Sequence, residues 1–275
     1  WHAVLGADVD AFLIGPETSA TPAILAAALE TGKPILSEKP GAYASAELKA
    51  LAGHANAGQI LVGYNRRHYS STAAAKAFVA ASAPEAGGSG VTFHASIPEA
   101  SWTTSMPAEK KRDILLSNTV HVLDLLRYLF GDLQLGHVAK IEGTDGLFSR
   151  AAVLAAGVAS GTAIVTFGSP SNYFVDLHSN GRSASMRPIE FYREFDSVSV
   201  IDPTPELPLR HYVANQAGEF KLDQADLDFK PGFLSQMREL AAMVEGRTPA
   251  THPSEFKSAT LYDAIAVLEL AEALL

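Results

Sequence analysis

Short apolar runs alternate with alanine-rich stretches near the start of the chain, and this alternation limits the fold more than any other feature. The apolar runs predict strands at residues 8–14, 34–37 and 59–63. The alanine-rich stretches favour helices, predicted at residues 20–30, 45–58 and 70–81. Strands that alternate with helices at this spacing are typical of a parallel sheet with crossover helices.

A polar cluster follows each of the three predicted strands. The clusters are Gly15-Pro16-Glu17, Glu38-Lys39-Pro40 and Asn65-Arg66-Arg67. In open α/β sheets the carboxyl ends of parallel strands meet at one edge, and ligands bind in the crevice outside that edge. The coincidence of the three clusters therefore predicts a binding site there.

The remainder of the chain has a different rhythm. Residues 83–90 are rich in proline, glycine and serine, and predict a link between a first unit at residues 1–84 and a second at residues 85–275. Strands are then predicted at residues 91–97, 134–142, 151–158, 162–167, 173–179 and 183–188, and helices at residues 115–130, 233–244 and 253–275. Asn180-Gly181 is a strong hairpin signal. We expect an α/β unit followed by an α+β unit with a large, mostly antiparallel open sheet.

Composition excludes several classes of function. The net charge of −9 disfavours nucleic acid as a partner, because an acidic chain repels phosphate backbones. The absence of cysteine excludes disulfides and cysteine-ligated zinc, and is compatible with the cytoplasm. No apolar run reaches the roughly 18 residues that span a bilayer, so no membrane association is expected. The histidines lack the spacing of a metal site.

Two residues are the strongest candidates for proton transfer. Lys39 follows a predicted strand and precedes Pro40, and a lysine held in a cleft can act as an acid, a base or a hydrogen-bond donor. Ser117, His121 and Asp124 share one face of a predicted helix with Tyr128. His121 is the better acid–base candidate, because histidine titrates near neutral pH. Asp124 either orients the imidazole or forms a structural bond between the two units.

Other polar residues allow a functional or a structural interpretation. Asn65 suits a ribose or an amide, and Arg66 suits substrate hydroxyls or a carboxylate, whereas Arg67 is better explained by a domain-bridging ion pair. Trp102 precedes Lys110, Lys111 and Arg112 in a stretch predicted to be a loop. This stretch either offers a sugar-stacking surface or is simply a charged loop.

A dinucleotide-binding unit normally opens with a strand, a G-x-G-x-x-G turn and a helix, and this sequence has no such turn. If the first apolar run is the fourth strand of a doubly wound sheet, roughly 60–80 residues precede it, at about 30 residues per βαβ unit. We expect a truncated chain. The alternative is a complete protein that never bound a dinucleotide.

Several segments resemble the Gfo/Idh/MocA family of oxidoreductases, which includes glucose–fructose oxidoreductase and inositol dehydrogenase. They are DVDAFLI at 8–14, ALETGKPILSEKP at 28–40, VGYNRR at 62–67, HVLDLL at 121–126, FLSQMREL at 233–240 and EGRTP at 245–249. The resemblance spans nearly the whole chain. Its most specific part is the Glu-Lys-Pro motif followed at a distance by His121.

The resemblance implies a partial Rossmann-type sheet and NAD- or NADP-dependent hydride transfer at a secondary alcohol of a sugar, cyclitol or related molecule. Lys39 and His121 would be catalytic. The cofactor would be bordered by Gly15, Pro16, Glu17, Thr18, Glu38, Lys39 and Asn65. The substrate would meet Arg66, Trp102, Ser117, Asn118 and Asp124. A cytoplasmic homo-oligomer, a dimer or tetramer assembled through the open face of the second sheet, would be expected.

Two other functions stay open at this stage. One is a non-catalytic sugar-binding or partner subunit without the cofactor fingerprint. The presence of both Lys39 and His121 opposes it, because binding alone needs no acid–base pair. The other is a glycosidase that oxidises its substrate transiently, for which the sequence offers no discriminating feature.

Overall fold

The computed structural model describes residues 1–143 and 147–275, which form two sheets with packed helices. The helices are His2–Leu5 (α1), Thr21–Leu29 (α2), Ser45–Ala52 (α3), Ser70–Ala81 (α4), Ala108–Ile114 (α5), Val120–Phe130 (α6), Gln224–Asp228 (α7), Phe233–Val244 (α8) and Leu261–Leu274 (α9). The strands are Phe12–Ile14 (β1), Ile35–Ser37 (β2), Ile60–Val62 (β3), Val91–Glu99 (β4), Gln134–Glu142 (β5), Phe148–Ala156 (β6), Ala159–Phe167 (β7), Phe174–Ser179 (β8), Arg182–Met186 (β9), Arg193–Ile201 (β10), His211–Gln216 (β11) and Ala259–Thr260 (β12).

The smaller sheet has the order β1-β2-β3-β12. Its first three strands are parallel, which confirms the prediction, and Ile14, Ser37 and Val62 lie in register at its edge. Every residue of β2 and β3 is buried. A strand buried on both faces is nearly continuously apolar rather than alternating, which is why these strands were predictable. The first begins only at Phe12, because residues 8–10 are exposed.

The larger sheet has eight strands in the order β11-β10-β9-β8-β4-β7-β6-β5. Its neighbours are antiparallel except for β4 and β7, which run parallel along their whole length. The predicted hairpin at Asn180-Gly181 is confirmed: Ser179 pairs with Arg182, and Gly181 has a φ of +72°, which suits glycine. Most buried apolar residues of both sheets form one core, and Leu36 of β2 and Leu61 of β3 form a second, smaller cluster with Leu240 and Met243 of α8.

Several predicted boundaries were wrong. β10 and β11 were not predicted, because most of their residues are exposed and leave no burial pattern. Residues 253–260 are not part of the last α-helix: Pro253–Glu255 is a short 3-10 turn and β12 pairs with β3. α9 begins after Thr260, whose hydroxyl accepts a hydrogen bond from the Asp263 amide. The division into units at residue 84 stays a prediction, and α9 packs against both α3 and α6.

The stretch predicted to be a loop around Lys110 is the helix α5. It continues through a π-helical turn, Leu115–Thr119, into α6. Lys111 lies on the buried side of this helix, where its Nζ donates to the Thr104 carbonyl. Its ammonium group is therefore inside the protein and not in solvent. The three consecutive charged residues at 110–112 favoured a loop in the sequence, so the helix was predicted to begin only at residue 115. No helix in the described part of the chain could cross a membrane.

A buried ion pair joins the turn after β3 to α6. Arg67 donates to both carboxylate oxygens of Asp124, from Nε at 2.9 Å and from Nη2 at 2.6 Å, and Asp124 is fully buried. Arg67 also reaches Asp263 at the start of α9. Burial lowers the pKa of Arg67, but the carboxylates of Asp124 and Asp263 outweigh it and hold this pKa above its ordinary value. Arg67 thus forms an ion pair of the kind predicted for it, in which two of its nitrogens bind the Asp124 carboxylate on α6.

Replacing Asp124 with alanine is expected to lower the free energy of unfolding by about 3–5 kcal/mol, because the Arg67 charge would stay buried without its main partner. Urea denaturation followed by circular dichroism measures the loss. Asp202→Ala removes an exposed ion pair with Arg210 and is the control, expected to change stability little. Equal losses for the two variants would contradict this account of the pair.

Candidate active site at the carboxyl edge of the parallel sheet

The three turns predicted to meet do so. The Glu38 amide donates to the Ile14 carbonyl at 2.7 Å, and the Gly63 amide donates to the Ser37 carbonyl at 2.8 Å. A Cβ on Gly15 would lie 3.4 Å from Glu38 Cγ, so the first turn lies beside the second. Gly15, Glu17 and Glu38 are exposed, whereas Pro16 and Thr18 are partly buried. The edge is therefore accessible from solvent.

Lys39 crosses from this edge to the second sheet's helix. Its Nζ donates to the Ser117 carbonyl at 2.6 Å. Burial lowers the pKa of Lys39, the nearby carboxylates of Glu38 and Glu99 raise it, and the charges of Arg66 and Lys230 lower it further, for a net decrease. The Ser117 hydroxyl donates to the Asp113 carbonyl within the helix, so Ser117 offers the site its backbone oxygen.

His121 is partly buried beside the Tyr64 ring, with the two ring centres 6.0 Å apart. Its Nδ1 is buried, with no hydrogen-bond partner among the residues that the structure describes. Burial is the largest cause of a pKa well below the ordinary value, and the positive charges of Arg66, Lys39 and Lys230 lower it further. The imidazole is therefore neutral at pH 7 and able to accept a proton.

Asp124 does not orient this imidazole. Its carboxylate is fully buried and held by Arg67, so it faces neither His121 nor a ligand. Of the two roles considered for Asp124, the structural one fits better, although its partner is Arg67 and not His121. Lys39 meets the backbone carbonyl of Ser117, which lies in the π-helical turn, whereas His121 lies near Tyr64 and Tyr128 lies under Arg67 along α6.

Asn65, expected to touch a cofactor, is buried and bound within the protein. Its amide nitrogen donates to the Pro231 carbonyl at 3.0 Å and to the Tyr69 hydroxyl at 3.3 Å. Gly232 has a φ of +82°, and a Cβ there would lie 2.2 Å from the Asn65 carbonyl oxygen. This close approach fixes the segment that carries Lys230. The amide nitrogen of Asn65 thus helps to hold the segment that carries Lys230, and contact of Asn65 with a cofactor stays a prediction.

Four site residues were not predicted: Glu99, Tyr173, Lys230 and Tyr64. Glu99 is 2% exposed at the end of β4, where it accepts hydrogen bonds from Asn118, Thr119 and Tyr173. Asn118 also donates to the Tyr173 hydroxyl at 2.8 Å. A glutamate that directly follows Ile97 and Pro98 at the end of an alternating strand was the available signal for this network.

Arg66 and Trp102, both expected to meet substrate, differ in position. The Arg66 guanidinium lies 5.1 Å from the centre of the Tyr173 ring, and its charge acts on both Lys39 and His121. Trp102 is 64% exposed in a short helical turn, and none of the ring contacts or hydrogen bonds between described residues joins its side chain to the site.

Comparison with known proteins gives likenesses to solved structures only. No family model and no curated protein matches the sequence. A dehydrogenase (MviM) from Clostridium difficile is 14% identical with a TM-score of 0.72, covering 99% of this chain and 80% of that one. An oxidoreductase domain protein from Kribbella flavida is 19% identical with a TM-score of 0.72, covering 100% and 80%. A levoglucosan dehydrogenase, solved with NADH and levoglucosan, is 17% identical with a TM-score of 0.71, covering 100% and 80%.

At these identities the likeness concerns the fold. It confirms the predicted class: a Rossmann-like sheet followed by a large open sheet. Residues 1–275 therefore share the architecture of proteins named as dehydrogenases and oxidoreductases.

His121 is expected to titrate well below pH 6.5, because burial and three neighbouring cations disfavour the imidazolium. Replacing Arg66 with glutamine removes one of those charges and should raise the pKa of His121. NMR of the ring protons, followed from pH 4 upward, measures both values, with the urea-unfolded protein as the reference. A His121 pKa that is unchanged in Arg66→Gln would contradict this electrostatic account.

Proposed function

We propose that the chain is the catalytic part of an NAD- or NADP-dependent oxidoreductase that transfers hydride at a secondary alcohol of a sugar, cyclitol or related small molecule. The observation that carries the proposal is the meeting of Lys39 and the neutral His121 imidazole at the carboxyl edge of the parallel sheet. Lys39 follows β2 of the parallel sheet and His121 lies on helix α6, and both sit where open α/β folds bind ligands. Simple binding requires no such pair.

Each residue has a distinct role in this reaction. Neutral His121 accepts the substrate hydroxyl proton as the carbinol carbon is oxidised, and returns it in the reverse direction. The Lys39 ammonium donates a hydrogen bond to the substrate oxygen and so favours charge developing there. The Ser117 carbonyl holds Nζ in place at 2.6 Å. A nicotinamide, when bound, accepts or supplies the hydride.

The exposed edge suits one end of such a cofactor. Gly15, Pro16, Glu17 and Thr18 form a turn beside Glu38, and the exposed Glu38 side chain stands next to Lys39. We assign these residues to the nicotinamide side. Asn65 is not assigned to it, because its amide is already bound to Pro231 and Tyr69. The glycine-rich turn that would hold the pyrophosphate is not among the 275 residues.

The named relatives support a sugar-like substrate. Three structures of similar fold are levoglucosan dehydrogenases solved with NADH, one of them also with levoglucosan and one with L-sorbose. A cysteine-free chain is also compatible with the reducing cytoplasm, where we place the reaction.

Both catalytic assignments can be tested in the natural protein that carries this chain. Lys39→Ala and His121→Ala are each expected to lower turnover on the order of 10²–10⁴-fold, because each removes a proton-transfer or hydrogen-bonding group. Reduction of NAD(P) followed at 340 nm over a panel of sugars and cyclitols measures the rate. Lys110→Ala, an exposed lysine on α5, is the control and should keep full activity. Near-wild-type rates for both variants would exclude the mechanism.

We also propose that two copies pair through the outer end of the large sheet. Val198, Val200 and Tyr212 are 59%, 54% and 70% exposed on β10 and β11, and Val200 pairs directly with Tyr212. Exposed apolar side chains grouped in this way are typical of an interface. A dimer or tetramer is expected.

Sedimentation velocity should show an oligomer that Val200→Asp converts to monomer, because the charge would be buried at the interface. Leu227→Asp, on α7 and equally exposed, is the control that should leave the mass unchanged. A monomeric wild-type protein would refute the pairing.

A further inference from the structure

The charges around the candidate site are unequal. Lys39, Arg66 and Lys230 all act on His121, whereas the carboxylates that act on Lys39 are those of Glu38 and Glu99. Glu99 is occupied by Asn118, Thr119 and Tyr173. The site therefore has a surplus of positive charge in a chain whose net charge is −9.

Arg66 is the unusual member of this group. Among the described residues, every other arginine that is not exposed forms an ion pair with a carboxylate: Arg67, Arg127, Arg150, Arg182 and Arg247. Arg66 forms no ion pair there, and no hydrogen bond from its guanidinium to a described residue is present. Its Nε and Nη1 are buried without a partner. A buried guanidinium nitrogen without an acceptor is unfavourable unless a ligand supplies one.

The orientation of Arg66 is fixed by its surroundings. The guanidinium lies over the Tyr173 ring at 5.1 Å, and the Tyr173 hydroxyl is held by Glu99 at 3.2 Å and by Asn118 at 2.8 Å. Tyr173 thus forms a fixed platform on the second-sheet side of the site, away from the Gly15 turn. A planar fork of N–H donors held in this way matches a carboxylate or a phosphate.

Lys230 adds a second cation. It is exposed, its Nζ lies 4.7 Å from the Phe233 ring centre, and its loop is held against Asn65 by the contact of Gly232. Because the loop is fixed, Lys230 contributes a charge to the same space without belonging to the core.

We propose that the substrate is a sugar or cyclitol that carries an anionic group, bound by the Arg66 guanidinium with Lys230 as the second cation. The proposal rests on the proposed function and narrows its substrate class to acidic sugars, meaning sugar acids or sugar phosphates. Neutral sugars leave the Arg66 nitrogens without an acceptor. The anion would hold the molecule at the Tyr173 side, and the carbinol carbon would lie toward Lys39 and His121.

The test compares matched ligands with the natural protein. Aldonates, hexuronates, sugar phosphates and their neutral parents are measured by calorimetry and by NAD(P) reduction. At least one anionic set is expected to show a Kd or KM at least tenfold below that of its neutral parents, and the set that does so distinguishes carboxylate from phosphate. Arg66→Gln should abolish the preference, with a smaller effect on the neutral parents. Arg66→Lys and Lys230→Gln should each retain part of it.

Arg112→Gln, an exposed arginine on α5, is the matched control, and thermal melting verifies that each variant is folded. If neutral parents are oxidised equally well and Arg66→Gln affects both sets alike, the inference is wrong while the oxidoreductase function stands. If no ligand of either kind binds or is oxidised, both are wrong. A reduced but not abolished preference in Lys230→Gln, which replaces an exposed side chain, would support the inference even if Arg66→Gln were unstable, and an unchanged preference would oppose it.

Discussion

The ion pair between Arg67 and Asp124 is the interaction on which the site depends. It joins the turn after β3 to the middle of α6, and Asp263 ties the same arginine to α9. Lys39 can reach the Ser117 carbonyl, and His121 can lie against Tyr64, only while these two elements keep their spacing. A buried ion pair adds little to the net free energy of folding, but removing one of its partners is strongly destabilising. Its main effect is therefore to fix the relative position of the two elements.

The site arranges its charges so that two proton-transfer groups hold different states at the same pH. Burial with three neighbouring cations keeps His121 neutral, whereas Glu38 and Glu99 partly offset the effect of burial on Lys39. Tyr64 strengthens this separation, because its fully buried hydroxyl, whose pKa is raised well above its ordinary value by burial, adds no charge beside the imidazole. Environments that give neighbouring titratable groups different pKa values in this way are typical of acid–base sites.

The parallel sheet and the position of Lys39 could be predicted, because buried strands and the residues that end them leave direct marks in the sequence. The helix that carries His121 and Asp124 was predictable from helical spacing, whereas the π-helical turn that holds Ser117 was not. The partner of Asp124 was not fixed by the sequence, because Arg67 is 57 residues away and only folding brings the two together. Lys230 lies still further along the chain. Its position depends on the contact of Gly232 with Asn65, and no local sequence pattern predicts that contact.

The π-helical turn at Leu115–Thr119 joins α5 to α6, and the side chains of these two helices contact different parts of the molecule. On α5, Lys111 donates to the Thr104 carbonyl, whereas on α6 His121 lies beside Tyr64 and Asp124 binds Arg67, both in the turn after β3. An α-helix advances about 100° per residue, so the extra residue in this turn sets the rotational phase between the two halves. The side chains of Asn118 and Thr119 are tied to Glu99, so the identities of these two residues matter. A change in the number of residues between 115 and 119 would in addition rotate the His121 imidazole away from Lys39. Chain length in this segment is thus a constraint of its own, beside side-chain chemistry.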